Sequence, residues 1–257
     1  MRDWNPDKYL AFKNERTQPS IDLVEKIDLK NPKTIIDIGC GPGNSTQILV
    51  NKWPLSIVTG LDSSYTMIER AKTYYPDQIW IHENAETISA KEKYSLVFSN
   101  AALQWMNNHS ILIPKLWELV DTNGAFAAQI PNFENMQACT VINNVVTSSK
   151  WDSKLRGRFW NKPPYELQFY YELLSNYTKK ITLWETHYYH ILPSIQSIVD
   201  FIQSTALKPY LEQLDDDTAK KEFENDILNE CRKYYSEQSD GNVLFPFQRL
   251  FMIAYKR

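Results

Sequence analysis

Cysteine is scarce and scattered. Cys40, Cys139 and Cys231 are odd in number, far apart and without a CxxC or Cys/His ligand spacing, which excludes a disulfide framework and a zinc site and fits a reducing cytoplasm. No His/Asp/Glu grouping has ligand spacing, so no metal is expected. Long apolar runs are missing as well. Nothing approaches the length of a membrane span, and the polar opening Met1-Arg2-Asp3-Trp4-Asn5-Pro6 lacks the apolar core of a signal peptide, so a soluble chain with no membrane partner is expected. Positive charge is not in excess either. With 28 Lys and Arg against 31 Asp and Glu there is no basic field of the kind that holds nucleic acid, and small substrates are favoured. One basic run stands out, Lys154, Arg156, Arg158 and Lys162 with Trp151, Phe159 and Trp160 between them. Such runs are usually solvated faces; this one would otherwise attract an anionic acid or, less readily, RNA.

What is present is enough for a sizeable core: 257 residues, 43% of them hydrophobic, imply one domain with an elaboration. Residues Asp7 to Lys26 carry apolar positions at helical spacing interrupted by Pro19, which reads as two short helices in an N-terminal segment spanning 1–30. Strand and helix signals then alternate. Strands are expected at Thr34–Ile38, Ser56–Leu61, Ile79–His82, Ser95–Ser99, Ala125–Ile130, Lys180–His190 and Arg249–Tyr255, with helices at Ser45–Lys52, Ser64–Thr73 and Ile111–Val120. That alternation means a parallel sheet with helices on both faces. Two further helical stretches, 135–177 (interrupted at Pro163-Pro164) and 194–238 (with an acidic turn at Asp215-Asp216-Asp217), cannot belong to the minimal wound sheet. They are expected to cap the strands' carboxyl ends, with the site beneath them.

The first strand runs into Gly39-Cys40-Gly41-Pro42-Gly43 and then a helix. Three of the chain's seven glycines thus fall within five residues, a floor where backbone can approach a ligand that side chains would exclude. The spacing is G-x-G-x-G rather than the G-x-G-x-x-G of dinucleotide enzymes. Asp37, two positions before the first glycine, would repel a phosphate but suits the ammonium of a methionine moiety, which favours S-adenosylmethionine over nicotinamide nucleotides. Asp62, at the end of the second strand, is placed to accept both ribose hydroxyls, or else to cap the helix that follows Ser63-Ser64. Asn84-Ala85-Glu86 after the third strand would meet the adenine edge through the Asn84 amide oxygen and the Ala85 N–H, or form a surface turn.

At Asp37–Asn44 and Asp62 the chain resembles class I S-adenosylmethionine-dependent methyltransferases. Further motifs narrow the likeness: Asp3–Leu10 with Glu15-Arg16, Gly39–Thr46, Asn100-Ala101-Ala102-Leu103-Gln104-Trp105, Thr186-His187-Tyr188-Tyr189-His190 and Arg249-Leu250-Phe251. Together they resemble the trans-aconitate 2-methyltransferase family over nearly the whole chain. The resemblance implies a Rossmann-like class I fold, a seven-stranded mostly parallel sheet in a single domain over 1–257. It implies S-adenosylmethionine as cofactor, held by Asp37, Gly39, Gly41, Asn44, Asp62, Ser63, Asn84, Ala85 and Asn100, with S-adenosylhomocysteine as product. It also implies methylation of a carboxylate of trans-aconitate or a related small acid to a monomethyl ester. The departures are Asn84, where the family usually has Asp, Gln18, where it usually has a basic residue, and the segment from Trp151 to Gln168, which diverges from the pattern.

A carboxylate is ionised at neutral pH and needs no general base, so the protein's expected work is positioning rather than proton transfer. A polycarboxylic acid needs donors for its other acid groups, and Arg meets a carboxylate best through its planar fork. The candidates are Arg16, Trp105, Tyr188, His190 and Arg249. Arg249 sits in an apolar strand and should have a ligand or an acidic partner. Tyr188 and His190 share a strand face, opposite His187 and Tyr189. The other readings are a malonyl-acyl-carrier-protein-type carboxyl methyltransferase, with the basic run docking the carrier, and a non-catalytic S-adenosylmethionine-binding protein. Either a monomer or a homodimer is compatible.

Overall fold

A computed structural model describes residues 13–89, 92–155 and 166–257, apart from the side chains of Lys13, Asn14 and Arg16. The Asp3–Leu10 motif, Pro163-Pro164 and the basic residues Arg156, Arg158 and Lys162 therefore lie outside the described residues.

The first element among the described residues is α1 (Lys13–Glu25), followed in alternation by β1 (Thr34–Ile38), α2 (Asn44–Lys52), β2 (Ile57–Asp62), α3 (Tyr65–Tyr74) and β3 (Ile79–His82). It continues through β4 (Tyr94–Asn100), α4 (His109–Glu118) and β5 (Val120–Pro131). Helices α5 (Gln137–Val146) and α6 (Leu167–Ser175) precede β6 (Ile181–Leu192); α7 (Ile195–Gln203), α8 (Lys208–Leu211) and α9 (Asp217–Cys231) precede β7 (Val243–Tyr255). The seven strands form one sheet in the order β3-β2-β1-β4-β5-β7-β6. β1 to β5 are mutually parallel and β7 runs antiparallel to both neighbours. The central strands are apolar on both faces because both are covered: Ile36, Ile38 and Val97 face one cluster, Ile35, Leu96 and Phe98 the other.

Pro19, expected to separate two short helices between Asp7 and Lys26, lies inside one helix, α1; residues 7–12 of that stretch lie outside the described residues. Proline in a helix costs roughly 3 kcal/mol through its missing donor and its ring. Burial of Leu23 and Val24 against the sheet offsets this, at roughly 1.5–3 kcal/mol each.

The helical stretch 135–177 divides. α6 lies on the sheet, its Tyr170 and Leu174 in one core cluster with Leu112 and Leu116 of α4. α5, α7 and α9 instead form a separate apolar cluster through Ile142, Phe201 and Phe223, together with Phe245 and Phe247 from the first half of β7. Trp151, from the start of the basic run, is fully buried there and donates to Asp226. That interleaved aromatic is core, while Lys154 lies over its ring.

Candidate active site

Strand order reverses between β1 and β4, and the chain ends that diverge there leave a crevice. A cavity of about 410 Å³ occupies it, between the turns that follow β1, β2, β3 and β4 on one side and the α7 end of the helical layer on the other.

The floor is the glycine turn. Gly39 has φ 71° and a Cβ there would lie 2.2 Å from the Ala102 Cβ, so the turn can close only without a side chain. Gly41 has φ 54° and nothing within 4 Å of where its Cβ would be, because that space is open to the cavity. The turn is held from two sides. Gly39 N–H and Cys40 N–H donate to the Leu61 carbonyl, and Gly41 N–H donates to Asp62 Oδ2 at 2.9 Å. Asp62 Oδ1 accepts the Ser64 N–H at 2.8 Å, while Ser64 itself caps α3 by accepting from Met67 N–H. Asp62 also lines the cavity.

Ser63, Asn84 and Ala85 line the same cavity. Asn84 Oδ1 accepts the Glu86 N–H at 2.9 Å, forming the turn that presents Ala85. Beyond Asn100 the backbone of Ala101 is left-handed, φ 52°, an uncommon state for a residue with a side chain and one that concentrates at functional sites. It leads into the short turn Leu103–Trp105, which carries Trp105 to the cavity wall. His109 fixes that turn from behind: its Nε2–H donates to the Leu103 carbonyl at 2.8 Å and its Nδ1 accepts from the Tyr170 hydroxyl at 2.6 Å.

Asn44 and Asn100 meet at a smaller pocket of about 40 Å³ that shares Gly39, Gly41 and Ala101 with the main cavity. Asp37 lines neither space. It is fully buried beneath the turn, with Oδ2 accepting from the hydroxyls of Ser45 at 2.6 Å and Thr46 at 2.7 Å. Burial pushes its carboxyl up to about 6, the two hydroxyls pull it back, and the charge of Asp62 adds to the rise. Its other oxygen, Oδ1, is buried without a hydrogen-bond partner, so the carboxylate holds the turn through Oδ2 and sets the potential above it.

The opposite wall is mostly apolar: Phe133, Phe201, Ile202, Ala206 and Phe247, with Arg249 as its buried cation. Arg249 Nη1 reaches Gln129 Oε1 at 3.4 Å, and its guanidinium lies 4.5 Å from the Phe247 ring centroid and 5.9 Å from that of Tyr188. Tyr188 and His190 do share a strand face, as their spacing requires, and stack at 6.2 Å. Neither lines the cavity, however. β6 is the outermost strand, and β7 stands between it and the site, so both side chains back Arg249 instead of facing the space beyond. The Tyr188 hydroxyl donates to Asp22 of α1, whose charge, after burial, raises the tyrosine's pKa. His190 is held neutral, its pKa lowered to about 4 by burial and by Arg249. The wall-forming residues of α7 and the left-handed Ala101 carried no motif; Arg249, a charge in an apolar strand, is the part of this wall that the sequence singled out.

With this geometry in place, likeness to known proteins becomes specific. Residues 36–128, from β1 into β5, match a family model described as a methyltransferase domain. Trans-aconitate 2-methyltransferase from Escherichia coli O45:K1 is 34% identical over 254 residues, covering 99% of this chain and 98% of that one. The protein of the same name from Shigella dysenteriae serotype 1 matches at the same identity and coverage. The chain belongs to the trans-aconitate 2-methyltransferase family. Solved structures agree on the fold of this methyltransferase. The YcgJ protein from Bacillus subtilis superposes with a TM-score of 0.62 at 12% identity, covering 93% of this chain and 99% of that one. Haemonchus contortus phosphoethanolamine N-methyltransferase 2 in complex with S-adenosylmethionine gives 0.61 at 12% identity, covering 98% of this chain and 56% of that one. Among the described residues of this methyltransferase no helix is long and apolar enough to cross a membrane.

Proposed function

We propose that this enzyme transfers the methyl group of S-adenosylmethionine to a carboxylate of trans-aconitate or a close small polycarboxylic acid, giving a monomethyl ester. The observation that carries the reading is the layout of one cavity: the nucleoside-sized glycine floor with Asp62, Asn84 and Ala85 at one side, and a buried Arg249 in an apolar wall at the other. The residues fit the cofactor. Gly41 leaves open space above the turn, Asp62 lines the cavity with a carboxylate that suits ribose hydroxyls, and Ala85 stands at the turn expected to meet adenine. Asn44 Nδ2 and Asn100 Oδ1 are buried without a partner at the pocket next to Gly39 and Gly41.

When bound, the cofactor supplies a sulfonium methyl group and a good leaving group. The chain supplies position and dryness. Arg249 takes a non-reacting carboxylate of the acid, with Gln129 holding the guanidinium in place. Trp105, fixed through Leu103 by His109 and Tyr170, bounds the acid's path toward the floor. Phe133, Phe201 and Phe247 exclude water from the attacking oxygen, which raises its reactivity. Correct placement of two reactants accounts for about 7–11 kcal/mol in favourable cases. No proton has to move: the nucleophile is ionised at neutral pH, and neutral His190 lies behind the wall. Arg16, whose side chain is outside the described residues, remains a second cation for the acid. The α5, α7 and α9 layer acts as the cap over the site. Three buried free thiols suit a cytoplasmic setting.

Incubation with methyl-labelled S-adenosylmethionine and a panel of di- and tricarboxylates tests the reading. Label should appear in a base-labile ester, fastest with trans-aconitate; no labelled ester from any acid in the panel would overturn it.

A further inference from the structure

The small pocket beside the glycine turn has a wall that no cofactor motif contains. It is formed by Thr17 and Ser20 of α1, facing Asn44, Ser45 and Asn100. Among the described residues, four buried polar atoms of its lining have no hydrogen-bond partner: Thr17 Oγ1, Ser20 Oγ, Asn44 Nδ2 and Asn100 Oδ1. Buried polar atoms are satisfied in the great majority of cases, since each one left alone keeps its desolvation cost uncompensated. Four such atoms converging on one space, from three elements far apart in sequence, call for a polar ligand group.

Their chemistry says which group. Asn44 Nδ2 and the two hydroxyls are donors, and Asn100 Oδ1 is an acceptor. That is the complement of a zwitterion: a carboxylate on the donors, an ammonium on the acceptor. At about 40 Å³ the pocket is too small for a base or ribose, but it adjoins the main cavity through Gly39, Gly41 and Ala101. The neighbouring Gln18 takes no part, since it is exposed and donates to Asp22.

We infer that Thr17 and Ser20 hold the α-carboxylate of the cofactor's amino-acid end, with Asn44, while Asn100 takes its ammonium. This rests on S-adenosylmethionine being the cofactor and adds a component to that site. The N-terminal helix is then part of the cofactor site through neutral hydroxyls. Ser45 contributes indirectly, by holding the Asp37 carboxylate under the pocket.

The test is calorimetry on the full chain with two thioether nucleosides that differ only in this end: S-adenosylhomocysteine, and 5′-methylthioadenosine, which lacks the amino acid. The double variant Thr17→Val/Ser20→Ala should lose affinity for S-adenosylhomocysteine by about 10-fold per hydroxyl. It should bind 5′-methylthioadenosine within about 2-fold of the parent. Thr17→Ser, which keeps the hydroxyl, should bind both as the parent does. Unchanged S-adenosylhomocysteine affinity in the double variant would overturn the inference, as would an equal loss for both nucleosides. Failure of the parent to bind either nucleoside would instead overturn the cofactor reading, and this inference with it.

Discussion

Asp62 Oδ2 accepts the backbone N–H of Gly41 at 2.9 Å, so the side chain assigned to the ribose also fixes the turn assigned to the rest of the cofactor. Ligand recognition and loop shape are coupled through one carboxylate. Asp62→Ala removes both, and S-adenosylhomocysteine affinity should fall by roughly 100-fold, about 2.7 kcal/mol. Asp62→Asn can keep a single oxygen on one of the two N–H groups and should lie between. Titration calorimetry of the two variants checks the order.

Gly39 and Gly41 make a contrasting pair. An alanine at Gly39 meets Ala102 at 2.2 Å and must also hold φ 71°. Strain and overpacking of this kind cost roughly 2–3 kcal/mol, or about 5–10 °C in the thermal midpoint for a chain of this size. At Gly41 the added methyl meets nothing within 4 Å, so the cost is only that of holding φ 54°, about 1 kcal/mol. Gly41→Ala should therefore melt within a few degrees of the parent while binding the cofactor poorly. Thermal scans with and without S-adenosylhomocysteine separate the two.

Arg249→Lys keeps a charge but loses the fork that meets a carboxylate in two places. The KM for the acid should rise by about 10-fold or more, with cofactor affinity unchanged. Equal loss of acid and cofactor binding would place Arg249 in the fold rather than at the substrate.

Two buried groups oppose each other in the pH dependence of stability. Asp37 has its folded pKa raised to about 6, so the native state holds its proton more tightly than the unfolded chain. Stability from this group is full below about pH 4, is lost as pH rises through 6, and is not regained. His190, lowered to about 4, works the other way: its neutral form is preferred, and stability rises with pH between about 4 and 6.5. Each amounts to something on the order of 3 kcal/mol, so the parent should show a shallow slope across this window. Asp37→Asn should steepen the rise with pH, and His190→Phe should turn it into a fall. Thermal midpoints between pH 4 and 7 read both slopes.

Much of this molecule was legible from short-range pattern. β1 and β3 have the bounds that Thr34–Ile38 and Ile79–His82 suggest, because apolar runs ended by Gly or polar clusters define buried parallel strands. β7 was legible only from Arg249 onward, yet it begins at Val243. Its first half pairs with β6 alone, beyond the end of β5, where the missing N–H of Pro246 is tolerated. Asp62, Ser63, Asn84 and Ala85 follow strands directly, so the end of each strand places them in the cavity. Tyr188 and His190 were assigned the right face but the wrong neighbour, since facing depends on local periodicity whereas distance from the cavity depends on which strand lies outermost. Phe201 and Thr17 come from helices whose docking is set by tertiary packing, and no spacing in the sequence marks them as site residues.

The most direct measurement is a crystal structure of the enzyme with S-adenosylhomocysteine and trans-aconitate. The account predicts the ribose on Asp62, the sulfur by Asn100 and Ala101, and the acid between sulfur and Arg249 with one carboxylate on the guanidinium. A nucleoside seated away from the Gly39–Gly43 turn, or an acid bound without contact to Arg249, would contradict it.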